Sequence, residues 1–584
     1  MIFFPFCRVR LDNRTAGSPP ENTGVIPVRG STSERSSDFR FPFRFTPREK
    51  LQSLLAPPYR FKFFMEFESE KGITYRLQMN AKQFQLLKER VLEKRPILSS
   101  MLHKQGDKRL CDYATGYFDV NLNGPIIERQ NEFLTVVKRR ITELLDEKTA
   151  EEVVNQLKKY YLISTCDHHG PVTHPFFLNS NLITSLAGAK LPDHPVKYTL
   201  AMSTSNVYMN NSSFPRGLLF HSWGKDGLQL HRPAFFSKQS RTSVVWNYRS
   251  YVEQDVTDID EDLAKEEQRG TLSQEVGKKV RDLVKEIYGN EKVLGAKNFC
   301  DQVTETNTPL WNKFFQGNEG IVPQLIYLEQ KGVVRDVLLD YHMEQKTLLH
   351  QIIFNPEYAF YLRNYFHGIQ GAFTDTGERG TYLFWAFPDG DSRRVALQYE
   401  QGVLKTADGS WSVELTPNAI ADALRENKII PGLLLSYFIL SMYYGLKCIG
   451  GFNQINYLTQ IKNGFIKMCA DIGDYVSVEL CARVQTKELS DGLTIAFLRD
   501  PTGAVKPAMG LDLYLYGNEN TYNTLQKVME SVTLEQALDP ILPEIYRTTY
   551  TEETGEPELF AITNADIMQF TGLDKKIEPC VEIG

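Results

Sequence analysis

The chain has 584 residues, of which 42% are hydrophobic and 24% are charged. This length is too great for one hydrophobic core, and the composition is that of a folded globular protein, which excludes a largely disordered or fibrous chain. The net charge is −6 at pH 7, and the basic clusters are short. Nucleic acid is therefore disfavoured as the main partner.

Cysteine usage and apolar runs indicate the compartment. The eight cysteines are scattered and include no C-x-x-C pair, which fits a reducing environment better than a disulfide framework. The first ten residues do not have the pattern of a signal peptide. The longest apolar run, 432–446, is shorter than the roughly 20 residues that a membrane span needs. We therefore expect a cytoplasmic protein with no membrane span, and the oligomeric state is left open.

The N-terminal part of the chain divides into a leader and a folded region. Residues 1–40 are predicted to be a flexible leader because segment 11–40 is rich in Ser, Pro, Gly and Arg. A strand pair is predicted within 59–80, and a helix follows at 81–94. Residues 41–250 are expected to form an α/β unit.

Helices and strands alternate through the rest of this unit. Helices are predicted at 126–145, from Thr149 onward and at 176–186, and strands at 160–165, 197–203 and 217–221. The sequence T-A-E-E predicts a capping box with Thr149 as the N-cap. This succession predicts an α/β (or α+β) fold, with a mixed sheet and flanking helices in the N-terminal half.

The C-terminal half has a different pattern. Residues 251–295 are charge-dense and are predicted to be a charged helical connector, either a solvated helix pair or a hinge. The acidic stretch, 255–267, could alternatively be a partner-binding surface. Residues 296–584 are predicted to be an α+β unit with an antiparallel meander plus helices. Predicted elements of this unit are strands at 382–387, 394–400, 411–415, 475–486 and 493–498, a helix starting at Thr416-Pro417 and a buried helix within 432–446.

Histidines are concentrated in one part of the chain. Six of the ten lie between His168 and His231, where even spacing would place about one. Neutral imidazole is the commonest metal ligand and a proton carrier near pH 7. The densest stretch is Cys166–His174, C-D-H-H-G-P-V-T-H, directly after the predicted strand 160–165. Because the carboxyl ends of strands form the ligand crevice of open α/β sheets, we expect a functional site there.

A carboxylate with two or three imidazoles could hold zinc or ferrous iron. The predicted ligands of such a divalent metal are Asp167, His168, His174 and, from the end of strand 217–221, His221. The segment matches no established metal-binding signature. A metal-free acid/base site that uses His and Asp, and a structural polar loop, are therefore the two alternatives.

Two further residues of the segment are candidates for catalysis. His169 is predicted to act as an acid or base. Cys166 could be a nucleophile with a neighbouring histidine as its base, although a small buried residue at a strand end is the simpler role for it.

The turn at 210–217, N-N-S-S-F-P-R-G, offers hydrogen-bond donors for a substrate. Asn210, Asn211 and Arg216 could bind a carboxylate or a phosphate, since arginine can bind either group through two hydrogen bonds. An ordinary polar turn is the alternative, because Asn, Ser, Pro and Gly are common turn residues.

A second candidate site follows the apolar run. Gly445–Phe452 reads G-L-K-C-I-G-G-F and resembles a segment of the nitroreductase-like flavoproteins that follows a buried helix near the flavin. The resemblance covers these eight residues and implies a flavin site; a plain glycine cap after the helix is the alternative. The polar residues Asn453, Gln454 and Asn456 could line a cleft.

The sequence therefore favours a metal-dependent enzyme. The predicted reaction is hydrolysis of a small polar or anionic metabolite, with oxygenation as another possible outcome if the metal is iron. A flavin-dependent oxidoreductase built around Gly445–Phe452 is the first alternative. The second is a non-catalytic interaction or effector protein in which the histidine cluster is structural.

Overall fold

A parallel β-sheet, covered on both faces by helices, lies at the centre of the computed structural model. The structure describes residues 79–120, 124–318, 320–377, 380–388 and 392–583. These residues belong to one unit, Ile73–Gly584. The predicted leader, and nearly all of the predicted strand pair at 59–80, lie outside the described residues.

Helices make up most of the regular structure in the described residues. In chain order they are α1 (Ala81–Glu93), α2 (Pro96–Gln105), α3 (Leu110–Thr115), α4 (Gly124–Leu144), α5 (Glu147–Lys159), α6 (Pro175–Ala189), α7 (Glu253–Gln268), α8 (Gln274–Leu283), α9 (Glu291–Leu294), α10 (Phe299–Lys313), α11 (Gln330–Tyr341), α12 (Leu348–Phe354), α13 (Tyr358–Phe366), α14 (Pro417–Arg425), α15 (Leu433–Tyr437), α16 (Gln454–Asp471), α17 (Tyr475–Arg483), α18 (Gly510–Tyr516), α19 (Thr521–Ser531), α20 (Leu534–Leu538), α21 (Leu542–Thr549), α22 (Pro557–Phe560), α23 (Asn564–Thr571) and α24 (Leu573–Lys576). Short 3₁₀ or π turns lie at Gly116–Phe118, Lys238–Thr242, Val284–Tyr288, Phe438–Tyr443 and Asp539–Ile541.

The strands are short. In chain order they are β1 (Leu162–Ser164), β2 (Tyr198–Ser203), β3 (Phe220–Gly224), β4 (Gly227–His231), β5 (Gln324–Glu329), β6 (Phe384–Ala386), β7 (Val395–Glu400), β8 (Val403–Thr406), β9 (Ser412–Glu414), β10 (Ile429–Pro431), β11 (Lys447–Gly451), β12 (Leu489–Asp491), β13 (Phe497–Arg499), β14 (Val505–Pro507) and β15 (Val581–Glu582).

The central sheet has the order β12-β11-β1-β2-β5, and every neighbouring pair in it is parallel. Its strands are buried on both faces, apart from the two ends of β5, as expected for a sheet covered on both sides. Successive residues of β1 show this arrangement, because Leu162 belongs to one hydrophobic core and Ile163 to the other. The sheet therefore separates two cores.

The second sheet is antiparallel and has the order β10-β6-β7-β8-β9. It confirms the meander predicted for 382–415. The helix predicted after it is also confirmed, since the Thr416 hydroxyl accepts a hydrogen bond from the amide of Ala419 at the start of α14. The mixed α/β class predicted for the chain is confirmed. The boundaries predicted at 250 and 295 stay predictions, although the central sheet takes strands from both sides of them.

Helices α1, α4 and α6 begin and end within three residues of the predicted positions, but one cap is different. Helix α5 begins at Glu147, two residues before the predicted Thr149 cap. The N-cap is Asp146, whose carboxylate accepts hydrogen bonds from the amide of Thr149 at 2.8 Å and from its hydroxyl at 2.7 Å. Aspartate is among the preferred N-cap residues. Asp146 therefore caps the helix, and Thr149 lies inside its first turn as a donor to that cap.

Three predicted strands differ from the structure. Segment 475–486 forms helix α17 instead of a strand. The strand predicted at 217–221 is shifted to β3, so that His221 is its second residue. The strand predicted at 493–498 is shortened to β13. The predicted buried helix within 432–446 is confirmed as α15 and the π turn that continues it.

The charged region 251–295 contains the helix pair α7 and α8, as predicted. In the described part of the chain, no helix is both long enough and apolar enough to cross a membrane.

Candidate active site

The order of the central sheet defines where a ligand crevice is expected. The chain forms β1, β2 and β5 on one side of the sheet and then crosses over to add β11 and β12 on the other side of β1. The direction of strand addition therefore reverses between β1 and β11. In open α/β sheets, ligands bind outside the carboxyl ends of the strands at this reversal. We call the place where β1, β11 and β12 end the β1–β11 crevice.

The segment after β1 enters this crevice in an extended conformation. It stays paired with the end of β2, because Thr204 donates to the carbonyl of Asp167 and His169 donates to the carbonyl of Thr204, both at 2.9 Å. Extended backbone places alternate side chains on opposite sides. Accordingly, Cys166 and His168 keep some accessible surface, whereas Asp167 and His169 are buried.

Cys166 lies among hydroxyl and carboxyl groups. Its sulfur is 3.2 Å from Ser164 Oγ, 3.4 Å from Ser180 Oγ and 3.8 Å from Ser490 Oγ, and the thiol donates to Asp167 Oδ1 at 3.4 Å. Burial and the neighbouring carboxyls raise the pKa of the Cys166 thiol well above its usual value. A thiolate nucleophile needs cationic neighbours that lower this pKa, so these surroundings favour the neutral thiol.

Asp167 is fully buried and bound on both carboxylate oxygens. Asn181 Nδ2 donates to Oδ2 at 2.7 Å, and Ser180 Oγ donates to Oδ1 at 3.3 Å. Burial raises the pKa of Asp167 to about 6, and these hydrogen bonds limit the increase. At pH 7 the carboxyl group is therefore mostly ionised.

Asp491, at the end of β12, is the second carboxyl group of the crevice. Only 8% of the residue is exposed, and its Oδ1 is buried with no hydrogen-bond partner among the described residues. Burial, followed by the charge of Asp167, raises the pKa of Asp491 to about 8. Asp491 therefore carries a proton at neutral pH, and Asp167 helps to keep it there.

A hydrogen-bonded group of side chains lies next to the carboxyl ends of β1 and β11. Gln454 Nε2, in the first turn of α16, donates to Thr165 Oγ1 at 2.7 Å, and the hydroxyl of Tyr437 lies 3.4 Å from the same atom. Two glycines at the end of β11 make room for this arrangement. A Cβ at Gly450 would lie 2.9 Å from the side chain of Gln454, and a Cβ at Gly451 would lie 2.5 Å from Asp491 Oδ2.

His168 has a defined tautomer. Its Nδ1 is 3.1 Å from Asn211 Oδ1, and that oxygen also accepts from the amide of Ser213 at 3.0 Å. Because Asn211 presents an acceptor, His168 Nδ1 carries the proton, and Nε2 keeps its lone pair. Burial lowers the pKa of His168 to about 4, so the ring is neutral at pH 7.

His174 has the opposite tautomer. Its Nδ1 accepts a hydrogen bond from the amide of Phe176 at 3.3 Å and thereby caps helix α6. The proton of the neutral ring is therefore on Nε2. Burial, followed by the charges of His168 and Arg232, lowers its pKa to about 3. His168 and His174 both pack against Phe177, at ring distances of 5.3 and 5.4 Å, so both rings contact the same side chain.

His169, a predicted catalytic residue, is fully buried. Its Nδ1 is 2.7 Å from Ser203 Oγ, and its Nε2 is 2.9 Å from the carbonyl oxygen of Cys300. Its ring also stacks on Tyr327 at 5.8 Å. These contacts tie the end of β1 to β2, β5 and α10, and both ring nitrogens are used in them.

His221, the predicted distant ligand, has partners outside the Cys166–His174 segment. Its Nδ1 lies 2.7 Å from Asp512 Oδ2, and its backbone amide donates to Asp512 Oδ1 at 2.7 Å. Asp512 also accepts from the amide of Met509 at the start of α18. The pair therefore joins the β3–β4 hairpin to α18.

The four predicted metal ligands do not form one coordination shell. In the part of the chain that the structure describes, no group of three or more His, Cys, Asp and Glu side chains is placed to hold a metal ion. Of the predicted set, His168 and His174 are brought together, whereas Asp167 binds Asn181 and His221 binds Asp512. Zinc requires three or four protein ligands around one point. The present contacts do not fit that requirement, and a metal cofactor stays a prediction.

The three predicted substrate-binding residues occupy different environments. Asn210 is exposed, whereas Asn211 is partly buried and holds His168. Arg216 is buried, and its Nη1 donates to the carbonyl oxygen of Phe236 at 2.8 Å. Only Asn211 is thus in direct contact with the candidate site.

Sequence reasoning missed Asp491 and placed Gln454 only among possible cleft residues. Two features of the sequence could have indicated these residues. The glycine pair Gly450-Gly451 followed by Asn453-Gln454 could have indicated Gln454, and the short sequence L-S-D-G that ends β12 could have indicated Asp491. In the segment compared with nitroreductase-like flavoproteins, Gly445 has a φ of +68° and ends the helical stretch, whereas Gly450 and Gly451 belong to a buried strand. The helix-cap alternative therefore describes the first glycine only.

The chain matches no protein-family profile, and no curated protein matches it significantly.

Proposed function

We propose that the chain is an enzyme that binds a small polar or anionic molecule in the β1–β11 crevice and protonates it with the Asp491 carboxyl group. The observation that carries this proposal is the pair of buried carboxyl groups with separated pKa values, about 8 for Asp491 and about 6 for Asp167. Environments that separate the pKa values of two neighbouring carboxyl groups are typical of acid–base sites.

Asp491 is the catalytic residue in this proposal. It holds a proton at pH 7, and its Oδ1 is left without a protein partner among the described residues. Its proton would pass to an oxygen or nitrogen of the substrate, as general acids do in hydrolysis and isomerisation. Asp167 is a positioning residue, because it is enclosed by Asn181, Ser180 and Cys166 and acts through its charge on Asp491.

The neutral imidazoles would bind the substrate. His168 offers an unprotonated Nε2 that can accept a hydrogen bond, and His174 offers a protonated Nε2 that can donate one. Arg232 lies close enough to lower the pKa of His174, and its positive charge would favour an anionic group in the same place. This set suits a polar substrate better than an apolar one.

The test is turnover of a mixture of small metabolites, followed by mass spectrometry, for the wild type and for Asp491→Asn. Asp539→Asn is the matched control, because Asp539 is also a buried aspartate with a raised pKa but is paired with Lys88 of α1. We expect the wild type and the control to consume the same compound and Asp491→Asn to be inactive. Equal turnover by Asp491→Asn would remove Asp491 from the mechanism, and no turnover by the wild type would contradict the proposal.

A metal-dependent hydrolase is the second candidate. One observation favours it: His168 Nε2 keeps its lone pair, and such a nitrogen can bind zinc or iron. Metal analysis of the purified protein, with and without the substitution His168→Ala, tests this candidate. The flavin-dependent and non-catalytic alternatives stay predictions, and the colour of the purified protein tests the first of them.

A further inference from the structure

A cavity of about 570 Å³ lies at the opposite edge of the central sheet. Its lining includes the carboxyl end of β5 (Leu328 and Glu329), the first turns of α10, residues from the end of α4, and the loop residues Trp246 and Asn247. Its volume is within the range of sites that hold small molecules. The proposed general acid, Asp491, and its neighbours are not among the lining residues, so this cavity is separate from the β1–β11 crevice.

Most charged groups around the cavity already have partners. Glu329 accepts from the amide of Lys331 at 2.8 Å and from Ser205 Oγ at 2.7 Å, and so caps α11. Arg140 is bound to Asp336 at 2.8 Å. Arg335 donates to Asn427 Oδ1 at 2.8 Å. These contacts hold the three side chains in the wall of the cavity.

Three buried polar atoms in the lining are different. Glu305 Oε2, Thr304 Oγ1 and Trp246 Nε1 have no hydrogen-bond partner among the described residues. The side chain of Glu305 is only 9% exposed, and its nearest cation, Lys292 Nζ, is 4.0 Å from the other carboxylate oxygen. A buried polar atom without a partner destabilises the folded protein. A ligand in the cavity that forms hydrogen bonds with these three atoms would remove this cost.

The charge of this wall indicates what that ligand would be. Asp301 lies one turn before Glu305 in α10, so the two carboxylates share one helix face. Burial raises the pKa of both. The charge of Lys292 limits the increase for Glu305, which Asp301 raises slightly further, and the charges of Arg140 and Lys297 limit the increase for Asp301. Arg140, whose charge also acts on Asp301, is bound to Asp336. The lysines Lys292 and Lys297 are exposed, so their charged ends can turn into water. The enclosed part of the cavity thus holds negative charge that is only partly compensated.

We propose that this cavity binds a small molecule with an ammonium or guanidinium group, which donates hydrogen bonds to Glu305 and Asp301. Thr304 Oγ1 can accept a further hydrogen bond from the same group. The remaining unpaired donor, Trp246 Nε1, would hold an acceptor elsewhere on the ligand. This proposal does not depend on the function assigned to the β1–β11 crevice.

Calorimetric titration of the full chain tests the proposal, with n-butylamine and butylguanidine as cationic probes. Butyrate and n-butanol are the anionic and uncharged controls. We expect a cationic probe to bind with a stoichiometry of one and Glu305→Gln to weaken its binding about tenfold or more, as loss of a charge-assisted hydrogen bond does. The matched control is Glu143→Gln, which changes a more exposed lining carboxylate and should leave binding almost unchanged.

A thermal unfolding measurement separates loss of binding from loss of folding. Because Glu305 is a poorly compensated buried carboxylate, Glu305→Gln should unfold at an equal or higher temperature than the wild type without a probe. The cationic probe should raise the unfolding temperature of the wild type but not that of Glu305→Gln. Binding of butyrate in place of the cations, equal cation binding by Glu305→Gln, or no binding of either cation would overturn the proposal.

Discussion

The carboxyl group of Asp491 occupies the space that a side chain at position 451 would need. A Cβ on Gly451 would lie 2.5 Å from Asp491 Oδ2 and 3.3 Å from Asp491 Cγ. The two residues are register partners on β11 and β12. The absence of a side chain at Gly451 therefore lets the Asp491 carboxyl group reach the end of the sheet, where the chain reverses its direction of strand addition.

Gly451→Ala should displace the Asp491 carboxyl group. Overpacking of a closed site costs about 1–3 kcal/mol, and we expect the free energy of unfolding to fall by that amount and turnover of any identified substrate to fall with it. Urea unfolding and the turnover assay measure both effects. Gly116→Ala is the control, because a Cβ at Gly116 would meet no atom within 4 Å. Equal effects of the two substitutions would contradict this account of Gly451.

Asp491→Asn should stabilise the protein in a pH-dependent way. The pKa of Asp491 is raised from 3.8 to about 8 in the folded state. Between these values the unfolded state has lost the proton and the folded state keeps it. This group therefore lowers the stability of the wild type by about 1.4 kcal/mol per pH unit as the pH rises, and the loss is complete above pH 8.

Chemical unfolding at a series of pH values measures this effect. The difference in stability between Asp491→Asn and the wild type should grow from about pH 4 to pH 8 and then stay constant. The Asp539→Asn variant should show a difference that levels off earlier, since the pKa of Asp539 is raised only to about 6. A difference for Asp491→Asn that does not change with pH would mean that this carboxyl group titrates normally.

The sequence was sufficient to place one side of the candidate site. A short apolar run before Cys166 predicts a buried strand, and the structure confirms it as β1, with Cys166 at its carboxyl end. A strand and the loop that follows it are close in sequence, so the apolar pattern of neighbouring residues can predict both. The neighbours β11 and β12 are contributed by residues more than 250 positions later in the chain, and a single sequence carries no signal for which strands pair.

Residues distant in sequence also determine which hydrogen-bond partners the histidines have. His221 was predicted to join the segment because it follows an apolar run, but Asp512 holds it through two bonds of 2.7 Å. The sequence shows that the histidines are close together along the chain. It does not predict which of them face a carboxylate, a carbonyl or an amide.

Helix α17 shows why one predicted strand was wrong. The sequence from Tyr475 alternates apolar and polar residues, which favours a strand. The carboxylate of Asp474 instead accepts a hydrogen bond from the amide of Ser477 at 3.0 Å and caps a helix. The apolar residues Tyr475 and Val476 are 71% and 61% exposed. The alternation therefore did not reflect burial, and the cap determined the local structure.

His174 should contribute to stability as a helix cap. Loss of an N-cap side chain costs about 0.5–2 kcal/mol, and asparagine is a good replacement. We expect His174→Ala to lower the free energy of unfolding by about that amount and His174→Asn to lower it less. Metal analysis of His174→Asn adds a second result: a stable variant that loses a bound metal would instead support the metal-dependent alternative.

Lys331, in the first turn of α11, should make stability depend on pH in the opposite direction to Asp491. Lys331 is 2% exposed, and its Nζ donates to Ser436 Oγ at 2.8 Å. Burial lowers its pKa from 10.5 to about 7, although the charge of Glu329 limits the decrease. Between these values the unfolded state binds a proton that the folded state has lost. This group therefore raises stability by about 1.4 kcal/mol per pH unit as the pH rises through that range.

Lys331→Met tests this behaviour, because methionine fills similar space without a charge. The variant should be more stable than the wild type at pH 7, and its advantage should shrink as the pH approaches 10.5. Lys527→Met is the control, since the side chain of Lys527 is 68% exposed, and it should change stability little at any pH. Parallel stability curves for Lys331→Met and the wild type would show that Lys331 keeps its charge in the folded protein, and that water or movement of α11 compensates for its burial.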